Sequence, residues 1–91
     1  MNGYTVEFAP RVEKDLRKLD RPTQILISKW IKKNLVGCQN PRALGKPLKG
    51  TFAGMWRYRI GDVRILSRID DEKIVILIVT IGHRKDVYRK K

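Results

Sequence analysis

The feature that most restricts this chain is Gly61-Asp62, a two-residue step between two segments that alternate apolar and polar side chains. A glycine-first pair at that spacing closes a tight β-hairpin, because the turn needs the positive φ that glycine adopts freely. So short a loop also fixes the register of its strands. Ile60 then lies opposite Val63, Arg59 opposite Arg64 and Arg57 opposite Leu66. The alternation predicts strands over residues 55–60 and 63–69, with a third over 73–81 after a turn at Asp70, Asp71 and Glu72. The run from Ile74 to Ile81 is apolar on both parities, as an interior strand is.

Upstream the period changes. Residues 4–8 alternate as a half-buried strand does. From Pro10 the apolar residues Val12, Leu16 and Leu19 fall at helical spacing. Asp20 before Arg21-Pro22 predicts a second helix start. The apolar set of that helix is Ile25, Leu26, Ile27, Trp30, Ile31 and Leu35, and Gly37 closes it. Residues 38–52, with Asn40-Pro41, Gly45, Lys46-Pro47 and Lys49-Gly50, form a loop anchored to the core by Leu44 and Leu48. At 91 residues the chain is one domain, 1–91. The expected fold is α+β with the order β-α-α-β-β-β: a helical hairpin on one face of a mainly antiparallel four-stranded sheet. Much of the opposite face is left for function.

Charge narrows the partner. Lys and Arg number 21 against 9 Asp and Glu, a formal net charge of +12, and the excess is segregated. The segment from Pro22 to Gly61 holds eight basic residues and no acidic one. A surface tuned only for solubility intersperses both signs, whereas a one-sign face attracts a polyanion. The sequence has no signal-peptide layout, and its longest apolar run, from Ile74 to Val79, is far too short to cross a bilayer. A cytoplasmic protein is expected. The single cysteine, Cys38, forms no internal disulfide, and no Cys/His set suits a zinc site.

The hairpin register sends Arg57, Arg59, Arg64 and Arg68 to one face, away from Trp56, Tyr58, Ile60, Val63 and Ile65. Like charges directly across a ladder repel. No acid alternates with these arginines, so a phosphate between them is the simplest relief, and the guanidinium fork suits phosphate oxygens. Gly82 is expected to release the third strand from the sheet, so that His83, Arg84, Lys85 and Tyr88 reach around its edge. Nearby cations favour the phenolate of a tyrosine such as Tyr88. RNA carries its own nucleophile, the 2′-hydroxyl, so a protein need only remove a proton, neutralise the phosphate and protonate the leaving oxygen. Clustered carboxylates for two metal ions are lacking; Asp70, Asp71 and Glu72 read as turn chemistry. Neither a metal nor a cofactor is expected.

Residues 48–50, 56–64 and 81–89 (LKG, WRYRIGDVR and IGHRKDVYR) resemble the C-terminal half of the RelE family of bacterial and archaeal toxin–antitoxin toxins. The resemblance implies an endoribonuclease that cuts messenger RNA in the ribosomal A site, beside 16S ribosomal RNA. It further implies metal-free cleavage to a 2′,3′-cyclic phosphate and a 5′-hydroxyl. Arg57 and Arg59 fall where the family places basic residues that bind the RNA backbone and assist proton transfer, often lysines. Arginine is the poorer acid or base of the two. Arg64 matches the residue that stabilises the transition state, Arg84 the one at the leaving group and Tyr88 the candidate general base. His83 occupies a position that is basic or histidine in relatives. Lys49, Arg68 and Lys85 are expected RNA contacts. Ser67 departs from the tyrosine of many relatives. The family also implies a small cognate antitoxin, which the basic tail Arg89-Lys90-Lys91 would suit if that partner is acidic.

Two other readings stay open at this point. One is a ParE-type toxin that poisons DNA gyrase, for which the run from His83 to Tyr88 with Arg64 has no use. The other is a noncatalytic RNA-binding module whose arginines only hold phosphate.

Overall fold

The structure, a computed structural model, describes residues 3–83. Strand β1 (Thr5–Phe8) leads into helices α1 (Arg11–Arg17) and α2 (Arg21–Asn34). Then come β2 (Lys46–Pro47), a 3-10 turn at Gly50–Phe52, β3 (Trp56–Ile60), β4 (Val63–Asp70) and β5 (Val75–His83). One sheet holds all five strands in the order β1-β5-β4-β3-β2. β1 runs parallel to β5, and the other neighbours are antiparallel. The α+β class and element order are as the sequence predicts, with one strand more. That strand pairs Lys46 with Arg57 and Pro47 with Trp56. Two residues are too few to show alternation, and the proline reads as loop punctuation, although an edge strand tolerates it.

The hairpin register is the predicted one: Ile60 faces Val63, Arg59 faces Arg64 and Arg57 faces Leu66. Gly61 takes the positive φ, +59°, that this turn requires. β5 differs from expectation at both ends. It starts at Val75, because Ile74 turns out of the extended region with a φ of +57°. It also continues through Gly82, which pairs with Arg64, to His83. Gly82 therefore does not release the chain.

The α2 start is where proline and aspartate put it. Asp20 is extended at the N-cap and Pro22 sits in the first turn, but the Asp20 carboxylate makes no capping bond. Instead the Gln24 amide donates to the Leu19 carbonyl at 2.8 Å. The buried stripe of α2 is Ile27, Ile31 and Leu35, at i, i+4 and i+8, with Trp30 partly covered. Ile25 and Leu26 are about half exposed, a correction to the predicted apolar set. One and two positions before Ile27, at roughly 100° and 200° around the helix, they lie off the stripe. Val12 of α1 and Leu19, in the link between the two helices, join this core against Tyr58, Val63, Ile65, Ile76, Ile78 and Ile81. Each fully buried aliphatic side chain contributes about 1.5–3 kcal/mol. Among the described residues no helix is long and apolar enough to cross a membrane.

Candidate nucleic-acid interface

The sheet face opposite the helices is set by parity. Arg57 and Arg59 of β3 share it with Arg64 and Leu66 of β4. The four arginines are not equivalent there. Arg59 and Arg68 are exposed, Arg57 is half-buried and Arg64 is only 6% exposed. Arg64 donates through Nη1 to the Gly61 carbonyl at 3.2 Å, which draws it against its own hairpin turn. The face is also not wholly bare. Met55 and Leu66 form a small second core with Leu48, Phe52 and Val79 packed on it. Leu48 is thus the anchor the sequence predicts. Leu44 is not, being 44% exposed; its backbone carbonyl does the anchoring instead.

Arg57 and Arg59 meet at a pocket of about 380 Å³ on the outer edge of β3. Its other walls are Trp30 and Asn34 of α2 and the segment Leu44, Gly45 and Lys46. That segment is fastened along β3. The Trp56 indole donates to the Leu44 carbonyl at 2.7 Å, and the Tyr58 hydroxyl donates to the Pro41 carbonyl at 2.6 Å. Gly45, at φ +80°, runs so close that a Cβ there would lie 2.2 Å from the Arg57 carbonyl oxygen. Arg42 completes the attachment with a two-pronged bond to Asp71, at 2.9 and 3.1 Å. The Tyr4 hydroxyl donates to the same carboxylate at 2.7 Å.

These bonds fix protonation. Arg42 first, then Tyr4, hold the Asp71 carboxyl below its ordinary range. The bond to Asp71 pushes the Tyr4 phenol up. Burial pushes Tyr58 up to about 12. Each phenol therefore holds its proton to higher pH than a free tyrosine does.

Arg68 lines a different hollow, of about 190 Å³, together with Arg11, Thr51 and Thr80 over an apolar floor. Behind it lies a group the sequence reading passed over. Asp15 of α1, 3% exposed, accepts from the Thr80 hydroxyl at 2.7 Å and the Ile81 amide at 3.2 Å. A signal for it exists: Val12, Asp15, Leu16 and Leu19 follow i, i+3, i+4, i+7, so an acid stands within the apolar stripe.

The other expected site residues separate. Lys49 is exposed just before the 3-10 turn. His83 pairs with Val63, a residue of the helix-side core, so its parity is opposite to that of Arg64. Arg84, Lys85 and Tyr88 lie outside the described residues. Trp30, Asn34 and Lys46, which join Arg57 and Arg59, were not singled out from sequence as site residues.

Two helices on one side of a mixed five-stranded sheet, with arginines on the other, make a small basic α+β fold. The family model described as the ParE toxin of type II toxin–antitoxin systems, parDE, matches residues 6–88. The chain belongs to that family, and is a type II toxin of the RelE/ParE superfamily. It is 36% identical over 87 residues to toxin RelG of Mycobacterium tuberculosis, covering 96% of this chain and 98% of that one. Toxin RelE of the same organism is 30% identical over 86 residues, covering 94% and 87%. Among solved structures, the toxin–antitoxin complex RelBE2 of M. tuberculosis superposes with a TM-score of 0.82 at 34% identity, over 92% of this chain and 94% of that one. The resemblance read from three short motifs thus extends along almost the whole chain.

Proposed function

We propose that this toxin is a metal-free endoribonuclease that cuts messenger RNA, with the ribosomal A site as its place of action. The observation that carries the reading is the β3–β4 hairpin. It places four arginines on one sheet face, where the single acid of that parity on the two strands is Asp70 at the far end of β4. Such a surface suits the backbone of single-stranded RNA. In the reaction the 2′-oxygen attacks the adjacent phosphorus as Tyr88 takes its proton. The bond to the 5′-oxygen breaks, and that oxygen receives a proton at Arg84. The products are a 2′,3′-cyclic phosphate and a 5′-hydroxyl. Arg64 neutralises the charge that builds on the phosphorane oxygens, while Arg57, Arg59 and Lys49 hold the strand. The Tyr4 hydroxyl donates to Asp71 and the buried Tyr58 hydroxyl to the Pro41 carbonyl, which supports Tyr88 as the base.

A cognate antitoxin is the expected protein partner, since relatives of this chain are solved with theirs. An apolar groove of about 260 Å³ beside edge strand β1, lined by Val6, Phe8, Ile27 and Val36 among others, offers it a seat. A cytoplasmic location is what this reading implies.

The test is induced expression in cells with mapping of transcript ends. Wild type should give new 5′-ends within codons. Arg64→Ala, Arg84→Ala and Tyr88→Phe should each abolish them together with growth arrest. Arrest that persists in Tyr88→Phe without new ends refutes cleavage. Inhibition of purified gyrase by the same protein would make it a gyrase poison instead.

A further inference from the structure

The pocket at the outer edge of β3 has more than the backbone of an RNA would need. Lys46, Arg57 and Arg59 are three of its seven lining residues, and none of the seven is acidic. Cations alone would hold a phosphate. The rest of the wall, Trp30 and Asn34, is an aromatic ring and a carboxamide, which are the groups that bind a base splayed out of its stack. The Asn34 amide has a fixed orientation. Its Nδ2 donates to the Trp30 carbonyl at 3.0 Å, and a carbonyl can only accept, so Oδ1 is left as an acceptor for a base N–H. Arg57, one of the lining residues, has its Nε buried with no hydrogen-bond partner among the described residues. A buried donor of this kind is costly until an acceptor arrives.

The pocket is also preformed. Leu44, Gly45 and Lys46 are held along β3 by the Trp56 and Tyr58 bonds and by the close approach of Gly45, so little ordering accompanies binding. Its volume, about 380 Å³, is in the range of sites that enclose a small organic ligand.

We propose that this pocket takes one unpaired nucleotide of the RNA, flanking the bond that is cut. Its phosphate lies against Lys46, Arg57 and Arg59, and its base against Trp30 and Asn34. The flanking role rests on the nuclease reading; the nucleotide site itself does not.

The experiment titrates purified toxin with cytidine 5′-monophosphate, cytidine and inorganic phosphate, read by tryptophan emission. Trp56→Phe isolates the signal of Trp30, and wild type is measured beside it in case the lost indole bond disturbs the loop. The monophosphate should shift Trp30 emission and bind at least about tenfold more tightly than phosphate alone, the gain of one stacked base. Asn34→Ala and Lys46→Ala, each first shown to melt as wild type does, should weaken that binding. With an RNA substrate they should raise KM more than they lower kcat. Phosphate binding as tightly as the nucleotide would overturn the base site. So would a monophosphate that leaves Trp30 emission unchanged while RNA is still cleaved. Nucleotide binding that needs Asn34 and Lys46 in a protein that cuts no RNA would keep the pocket and remove only the nuclease reading.

Discussion

The hydroxyl of Thr80 donates to the carboxylate of Asp15 at 2.7 Å, joining α1 to β5 within the buried interior. β1 ends at Phe8, whose partner is Ile78, so the outer edge of β5 beyond that point has no strand to pair with. The same stretch carries a register slip against β4, between Leu66 and Ser67. Asp15 supplies the missing acceptor there by also taking the Ile81 amide at 3.2 Å. This fastens the end of the strand from which His83 and the sequence beyond it continue.

Removing that acceptor strands two donors away from water. Asp15→Ala should lower unfolding free energy by about 2–4 kcal/mol, and Thr80→Val by about 1–2 kcal/mol. Chemical denaturation with unchanged m-values would measure both. The double variant should cost less than the sum, since the two groups share one bond. Additive losses would show that the pair is not coupled.

Ile74 offers a change in the opposite direction. A β-branched residue at φ +57° is strained, and its side chain is 39% exposed, so little packing is lost on truncation. Ile74→Gly should raise stability by up to about 1 kcal/mol, or melting temperature by about 4–8 °C for a domain of this size. Ile74→Val keeps the branched Cβ and should bring no such gain.

The Arg42–Asp71–Tyr4 cluster makes stability depend on pH. Arg42, then Tyr4, lower the Asp71 pKa in the folded state, so the carboxylate contributes fully above the ordinary carboxylate range. That contribution disappears as pH falls through the lowered folded value. Asp71→Asn should flatten the acid limb of a stability–pH profile and leave mid-range melting less affected by acid. Tyr58 acts at the alkaline limb. Its phenol holds its proton to about 12 in the folded protein, against 10.0 ordinarily, so stability should decline across that interval. Tyr58→Phe should remove this decline in the same profile.

The contrast between what was legible and what was not has physical causes. The Gly61-Asp62 step determined a whole ladder, because a two-residue loop permits one register, and the four arginines followed by alternation alone. The Asp70 turn was legible as well: its Oδ1 accepts the Glu72 and Lys73 amides, each at 3.1 Å. Lys46 and Pro47 were not, since edge pairing is decided by what the neighbouring strand leaves open. Leu44 misled because its carbonyl, not its side chain, is what the fold uses. The pocket of Trp30, Asn34 and Lys46 joins residues from separate elements, and no local pattern encodes such a meeting. Parity alone also did not show that Arg64 would be buried while Arg59, its partner, stays in solvent.

That last difference separates two roles on one ladder. Arg59 is exposed and contributes charge at the pocket edge, so Arg59→Gln should leave the melting temperature near that of wild type. Its effect should fall on RNA affinity, with the salt dependence of binding reduced by about 0.7 for one lost single-strand phosphate contact. Arg64 is 6% exposed and bonded to Gly61, so truncating it removes both packing and a hydrogen bond. Arg64→Ala should therefore lower stability by about 1–3 kcal/mol as well as cleavage. Binding isotherms at three or more salt concentrations, paired with thermal melts of the same preparations, measure both quantities. If Arg59→Gln left the salt slope unchanged, Arg59 would not touch the RNA backbone, and the strand would have to run along the Arg64 and Arg68 side of the face.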